Sequence, residues 1–524
     1  MEQNPSRRVF LVAAATGAGG LVLSSSAAAS AARQPPLPAV RPARTAPDPF
    51  TLGIASGDPA PDGFVLWTRL APDPLAPDGH GGMPARDVAV EWRIAEDERF
   101  RRVVRSGEAT ARFGSAHTVH VEAEGLEPGR EYFYRFRANG HLSKVGRTRT
   151  APDTVSPFTF AAVSCAQYEH GFYTAYRRMA EQEPDVVVHL GDYIYEYSSG
   201  VYTAAQGNVR RHEGGKLQTL ADYRVRHAQY KTDPDLQLAH QGSPWLVVFD
   251  DHEVENNWAA GNPGTTAPAF DARKAAGFQA YYENMPLRRS AVAKGTRIKL
   301  NRRVEWGPLA TFHMLDTRQF RDDQPCGDGM RSGCDERLGQ ERVLLGSAQR
   351  EWLEQGLRDS DAGWNLIAQQ IIVGQRDYHL GPGRELSVDA WDGYPAERDR
   401  LLGALSASGA ANPVVLTGDA HVGSASDLLL DFDDPDSPRV GVELVATSIS
   451  SDGDGYHDPV RDATLRAENP HLKFVNERRG YITCAVTPDN LTAEFHTLAY
   501  ISRQGAPAKT AATFTIPAGE RILT

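Results

Sequence analysis

The chain has 524 residues, a formal net charge of −11, 41% hydrophobic residues and 23% charged residues. This is ordinary globular composition with ample chain for a sizeable core. The acidic balance argues against non-specific binding to nucleic acid or to an anionic membrane, because both need clustered Lys and Arg; it leaves a phosphate-bearing substrate open, since bound cations reverse the local field.

Residues 1–31 read as a targeting segment. Ser6-Arg7-Arg8-Val9-Phe10-Leu11 is a twin-arginine pattern, an apolar stretch diluted by Gly and Ala covers residues 9–23, and Ala29-Ser30-Ala31 fits a small-residue cleavage site. The stretch is short for a membrane span and no later run reaches about 20 apolar residues, so an uncleaved anchor is the lesser alternative and no stable membrane anchor is expected. Twin-arginine export carries chains already folded and loaded with cofactor. The expectation is a protein secreted, or held at the cell wall, through that machinery, as a monomer.

Residues 32–49, rich in Pro, Ala and Arg, read as a linker. Residues 50–150 carry an all-β pattern, with strands near 64–69, 88–93 and 118–121. Gly125-Leu126-Glu127-Pro128-Gly129-Arg130-Glu131-Tyr132-Phe133-Tyr134-Arg135-Phe136 resembles the turn-then-strand of a fibronectin type III-like β-sandwich, including its tyrosine corner. No catalytic constellation is visible there. The proline-bearing stretch 148–157 marks a boundary, and residues 155–524 form the second domain.

There the pattern alternates. Strand 158–164, a helix near 172–182 and strand 185–190 make a βαβ unit. Helices are expected near 220–227, 272–282, 348–357 and 397–405, and strands at 306–316, 364–373 and 413–416. Strands 440–446 and 481–486 are expected to close a second sheet, followed by 492–496. The predicted class is an α/β sandwich, with loops 198–240 and 374–395 lining a cleft.

Four of the apolar runs end in candidate metal ligands: 158–164 at Cys165, 185–190 at Asp192, 245–249 at Asp250-Asp251, and 413–416 at Asp419. In layered α/β folds the loops beyond the carboxyl ends of strands gather on one edge and build sites there. Asp192 can bridge two cations. Tyr195, three residues on, can return to the same centre as a phenolate, a hard donor suited to ferric iron. Either Asp250 or Asp251 can bind metal, and Asn256 or Asn257 adds an oxygen ligand. His252 is read as a ligand or as the proton donor to a leaving group. Asp419 and His421 alternate by two, so in extended backbone both would face one way. Each motif alone has a bland reading as a turn or helix cap; four together do not.

Cys326 and Cys334 lie in a polar, glycine-rich loop and read as a local disulfide of an exported protein. Cys484 sits in a strand pattern. Cys165 is placed to be a ligand, with pairing to Cys484 the alternative.

Ser164-Cys165, His189-Leu190-Gly191-Asp192-Tyr193-Ile194-Tyr195-Glu196, Phe249-Asp250-Asp251-His252-Glu253-Val254-Glu255-Asn256-Asn257-Trp258, Ala390-Trp391-Asp392-Gly393-Tyr394-Pro395 and Leu416-Thr417-Gly418-Asp419-Ala420-His421 together resemble the PhoD-type alkaline phosphatase family, on the calcineurin-like metallophosphoesterase plan. The resemblance covers nearly the whole chain. It implies a metallophosphoesterase-like αββα fold behind a small β-sandwich, a ferric ion (Fe3+) with Ca2+ ions nearby, and hydrolysis of phosphate monoesters and diesters by a metal-bound hydroxide or oxide. Carried over by position, Cys165, Asp192, Tyr195 and His421 would hold the iron. Asp192 would bridge to calcium, with Asp251, Asp419 and Asn256 or Asn257 on that side. Asp192, His252 and His421 would be the catalytic set. The resemblance leaves open a phosphodiesterase of the same fold acting on phospholipid or teichoic acid. A non-catalytic adhesion module is the rival from another class.

Overall fold

The computed structural model describes residues 47–260 and 270–524. The targeting segment and most of the linker lie outside the described residues. The described chain forms one compact unit built on two large sheets.

The first sheet has nine strands, ordered Ala508–Pro517, Asn490–Leu498, Gly480–Val486, Phe158–Val163, Val186–His189, Pro244–Val247, Ile54–Ala60, Gly63–Arg69 and Thr118–Ala123. The second has seven, ordered Arg302–Trp306, Ala310–Met314, Trp364–Ala368, Pro413–Thr417, Arg439–Val445, Gly423–Leu429 and Leu472–Asn476. Phe158–Val163, Val186–His189 and Pro244–Val247 pair in parallel, so their carboxyl ends emerge side by side.

These strands are almost wholly apolar because both faces are buried, Thr159 being the exposed exception. Phe160, Ala162, Val186, Val188, Leu246 and Val248 point into the core shared with Phe312, Leu366, Val414 and Leu444 of the second sheet. Their neighbours Ala161, Val163, Val187 and Val247 point outward to Tyr176, Met179, Tyr223 and Phe278, on helices Thr174–Ala180, Leu220–Lys231 and Phe270–Asn284. Helices Ser347–Arg358 and Pro395–Ala407 cover the second sheet through Leu353, Leu357, Leu401 and Leu405. The layer order is therefore helix, sheet, sheet, helix.

Several expectations are corrected. Residues 306–316 are not one strand: Gly307 at φ +58° and Pro308 turn the chain, and Arg302–Trp306 pairs antiparallel with Ala310–Met314. The strand expected at 481–486 joins the first sheet, antiparallel to Phe158–Val163. Strands Gly423–Leu429, Leu472–Asn476 and Ala508–Pro517, and helices Pro234–Gly242 and Pro459–Glu468, were not anticipated. Both helices start with Asp-Pro, and the Asp side chain accepts from two backbone N–H groups of the first turn, a start signal legible in hindsight.

Strands from before the 148–157 boundary join a sheet with strands from after it. Ile54–Ala60 pairs in parallel with Pro244–Val247, so three N-terminal strands extend the first sheet. The remaining N-terminal strands form a separate five-stranded sheet, and Phe64, Leu66, Val90, Ile94, Tyr134 and Phe136 share a core between the two. Tyr132 Oη accepts from the Glu127 N–H at 3.0 Å, closing the corner before its strand.

Trp67 shows the coupling. Its ring packs with Leu52, Ala55 and Ala228 and its N–H donates to the Glu283 carbonyl at 2.9 Å, so an N-terminal strand is anchored to two helices of the later part. Trp67→Ala should cost about 3–5 kcal/mol. Followed by fluorescence and circular dichroism in denaturant, it should move one shared unfolding transition. Two separated transitions, with only the first shifted, would show that the N-terminal strands fold independently.

Candidate metal centre

Four strand ends and one further loop converge on one edge. Cys165 follows Phe158–Val163, Asp192 follows Val186–His189, Asp250 and Asp251 follow Pro244–Val247, and Asp419 follows Pro413–Thr417. The two sheets touch there. The Ile449 N–H donates to Ser164 and the Ser450 N–H to Cys165, joining the first sheet to the segment that leaves Arg439–Val445.

The backbone at these positions is unusual. Cys165, Asp192, Asn257, Asp419, His421 and Asp452 all lie at φ between +51° and +69°, a region that non-glycine residues occupy at a cost and that clusters at functional sites. The glycines of the two Gly-Asp pairs are required by close approach. A Cβ at Gly191 (φ +113°) would sit 2.5 Å from Asp250 Cβ, and one at Gly418 would sit 2.9 Å from Ser164 Cβ.

Three overlapping groups of donor atoms result, each mutually within 4.8 Å: Cys165, Asp192 and His421; Asp192, Asp251 and His252; Asp250, Asp251 and Asp419. Tyr195 completes the first. Its hydroxyl lies 3.0 Å from Asp192 Oδ2 and 3.0 Å from His421 Nε2, and accepts from Ser451 Oγ at 2.7 Å. Asp192 is common to the first two groups and Asp251 to the last two, so the groups form one chain of sites.

The expectation that Asp419 and His421 face one way through extended backbone is corrected. Both are left-handed, and they diverge: Asp419 joins the all-carboxylate group and His421 the mixed one. Asn256 enters through its backbone, whose N–H donates to Glu196 Oε1 at 3.1 Å. Asn257 donates its backbone N–H to Asp251 Oδ2 at 2.7 Å. Its amide donates to Asp328 Oδ2 at 2.7 Å, inside the loop that the Cys326–Cys334 disulfide closes. Cys165 and Cys484 are free and buried. Trp391, Asp392 and Tyr394 are buried, with both rings in the core under the second sheet's helices.

The electrostatics follow from crowding. Burial pushes Asp192 well above the usual carboxylate range, and the neighbouring Asp251 and Asp250 add to it against the pull of His252. Burial, with Asp251, pushes Asp250 up to about 6 against Arg318. Burial and Asp192 push up both the Cys165 thiol and the Tyr195 phenol. Burial opposes a charge on His252, yet Asp251, Asp192 and Glu196 hold its imidazolium well above neutral range. Asp250 Oδ2 and Asp251 Oδ1 are buried without a hydrogen-bond partner among the described residues. Orphaned acceptors beside converging anions fit cations. The donor sets differ in chemistry: thiol, phenol, imidazole and carboxylate at one end, carboxylates alone at the other. The first suits a strongly polarising transition metal and the second a hard alkaline-earth ion.

Sequence reasoning missed four supporting residues. Arg318, fully buried, contacts Asp250 at 2.5 Å, Asp251 at 3.5 Å and Asp419 at 3.6 Å, and grips both oxygens of Asp389 at 2.9 and 3.0 Å. It follows Ala310–Met314, a fifth strand end that the same reasoning applied to Asp316-Thr317-Arg318 would have flagged. Glu253 is buried and accepts from the backbone N–H groups of Asp192, Tyr193 and Asp250 at 3.1, 2.6 and 2.9 Å, tying two strand ends together. Asp452 contacts His421 Nδ1 at 2.7 Å.

Comparisons with known proteins place the family and the fold. The model of the PhoD-like phosphatase family matches residues 160–495, and that of the PhoD-like phosphatase N-terminal domain matches residues 33–152. Alkaline phosphatase D of Bacillus subtilis (strain 168) is 48% identical over 471 residues, covering 89% of this chain and 80% of that protein. A solved structure of PhoD superposes with a TM-score of 0.88 at 47% identity, covering 90% of this chain and 91% of that one. The purple acid phosphatase PPD1 of yellow lupin shares the fold, with a TM-score of 0.55 at 13% identity over 89% of this chain and 73% of that one. This chain belongs to the PhoD-like phosphatase family and is an enzyme of the alkaline phosphatase D type.

Proposed function

We propose that this protein is a secreted, metal-dependent phosphatase that hydrolyses phosphate monoesters and diesters at the strand-end centre. The observation that carries the reading is the chain of overlapping donor groups, with Asp192 shared between the mixed and the all-carboxylate sets. Cys165, Asp192, Tyr195 and His421 would hold Fe3+, and Asp192, Asp251 and Asp419, with Asn256 or Asn257, would hold Ca2+. Bound there, the cations supply Lewis acidity towards the phosphoryl oxygens and the attacking water. Burial of Cys165, Tyr195 and Asp192 excludes competing water, whereas the Asp419 side chain keeps 29% of its surface open and marks where a phosphate enters.

His252 is the proton donor in this reading. Its Nδ1 is held by Glu196 Oε2 at 2.8 Å and its ring stacks on Tyr195 at 4.1 Å. That fixes the ring and leaves Nε2 to carry the proton to the leaving oxygen. Asp452 and Glu196 are positioning residues, each orienting a histidine through Nδ1. Export through the twin-arginine route is supported by the Arg7-Arg8 pattern and by the Cys326–Cys334 disulfide, which suits an oxidising compartment. The N-terminal strands are proposed as a fibronectin type III-like sandwich fused to the catalytic sheet.

Elemental analysis with a visible spectrum tests the cations. Iron with a broad visible band that disappears in Tyr195→Phe is expected; zinc or manganese without colour overturns the iron assignment. Asp192→Asn should lower turnover by at least about 10²–10³-fold and lose metal from both ends together, and full metal content with full activity would refute the shared-ligand role. His252→Ala should cost about 10²–10⁴-fold on an alkyl phosphate, whose leaving group needs a proton, and far less on p-nitrophenyl phosphate. Equal losses on the two substrates would remove the proton-donor role.

A further inference from the structure

A cavity of about 750 Å³ lies beside the centre, lined by Lys274, Lys294, Arg297, Lys299, Val292 and Phe320 among others. The chain has eight lysines, and three of them are here. Among the described lining residues there is no Asp or Glu, in a chain of net charge −11. Lys294, Arg297 and Lys299 are exposed and make no ion pair among the described residues, whereas Lys274 reaches Asp271 at 4.0 Å and donates to the Ala260 carbonyl at 2.7 Å.

The wall that presents these cations is held in place. Lys294 and Arg297 bridge across a tight turn, with N–H···O distances of 2.8 and 3.3 Å. Gln319 fastens the turn from the other side: its Oε1 accepts from the Ile298 N–H at 3.2 Å and its Nε2 donates to the Ile298 carbonyl at 2.7 Å. Ala291, Ile298 and Leu300 are buried in the core beneath. The turn therefore offers a fixed set of charges rather than a fraying loop. Phe320, 46% exposed, and Val292, 41% exposed, add an apolar strip.

Two segments that carry the metal centre also run into this cavity. Phe320 is two residues beyond Arg318, so their Cα atoms are at most about 7 Å apart. Ala260 ends the segment that begins at Asp250-Asp251, and its N–H donates to the Arg318 carbonyl at 3.0 Å. Unpaired cations in fixed geometry beside a phosphate-hydrolysing centre attract a further phosphate, because opposite charge raises both the local concentration and the residence of the ligand.

We propose that this cavity is a distal anion subsite, which holds a second, non-reacting phosphate of a substrate bearing more than one phosphate group while another phosphate occupies the metal centre. The proposal deepens the phosphate-ester reading of that centre, and its test separates the two.

The probe is end-labelled linear polyphosphate, and binding to the full chain is read by fluorescence anisotropy. The triple variant Lys294→Glu, Arg297→Glu, Lys299→Glu changes only exposed side chains. It should weaken binding by about tenfold or more and flatten the dependence of log Kd on log salt, with turnover of p-nitrophenyl phosphate unchanged. Asp192→Asn, which disables the centre, should retain most of the polyphosphate affinity; if it loses as much as the triple variant, the polyanion is held by the centre and the subsite is refuted. Undiminished binding by the triple variant refutes it as well. So does orthophosphate competing as well as polyphosphate at equal phosphate concentration, since a single small anion would then account for everything bound.

Discussion

Like-charge crowding at one sheet edge is the constraint around which this molecule is built. Asp192 is brought within 4.8 Å of Asp251, and Asp251 within 4.8 Å of both Asp250 and Asp419. At an effective dielectric near 20, two like charges about 4 Å apart repel by about 4 kcal/mol. Arg318 answers part of that from the centre of the cluster, with Asp389 fixing its guanidinium from behind and Arg321 and Gln324 fixing Asp389. The remainder is left for cations, and Asp250 Oδ2, buried without a hydrogen-bond partner among the described residues, marks where the protein's own compensation stops.

Holding such a cluster needs a rigid frame. Parallel pairing of three buried strands puts their ends side by side, and Glu253 locks two of the exits through three backbone N–H groups. Burial pushes the Glu253 carboxyl up to about 8 despite those bonds, so the clamp is an internal polar anchor and not a solvated acid. The left-handed backbone at Cys165, Asp192, Asp419 and His421 is tolerated because the surrounding strands over-determine it. The N-terminal strands serve the same end, since Ile54–Ala60 backs Pro244–Val247, the strand that delivers Asp250 and Asp251.

The segments around the centre carry charge of both signs. The lysine-bearing turn lines a cavity with Ala260 and Phe320, and Phe320 follows Arg318 by two residues. Asp328, in the disulfide-closed loop, reaches the same neighbourhood through Asn257.

What the sequence determined by itself was local. The four apolar runs were legible because doubly buried strands leave unbroken Val, Ile, Leu and Phe runs, and the acidic, thiol and phenol groups were legible because each follows such a run directly. The family was legible because its motifs are contiguous. The tertiary structure decided what depends on distant pairing. It sent Gly480–Val486 to the first sheet and fused the N-terminal strands to that sheet. It broke residues 302–314 into a hairpin and turned Asp419 and His421 apart into different donor groups. It also brought Arg318 into the centre. Strand order and left-handed backbone arise from packing between segments hundreds of residues apart, so the alternation of residue types along the chain carries no record of them.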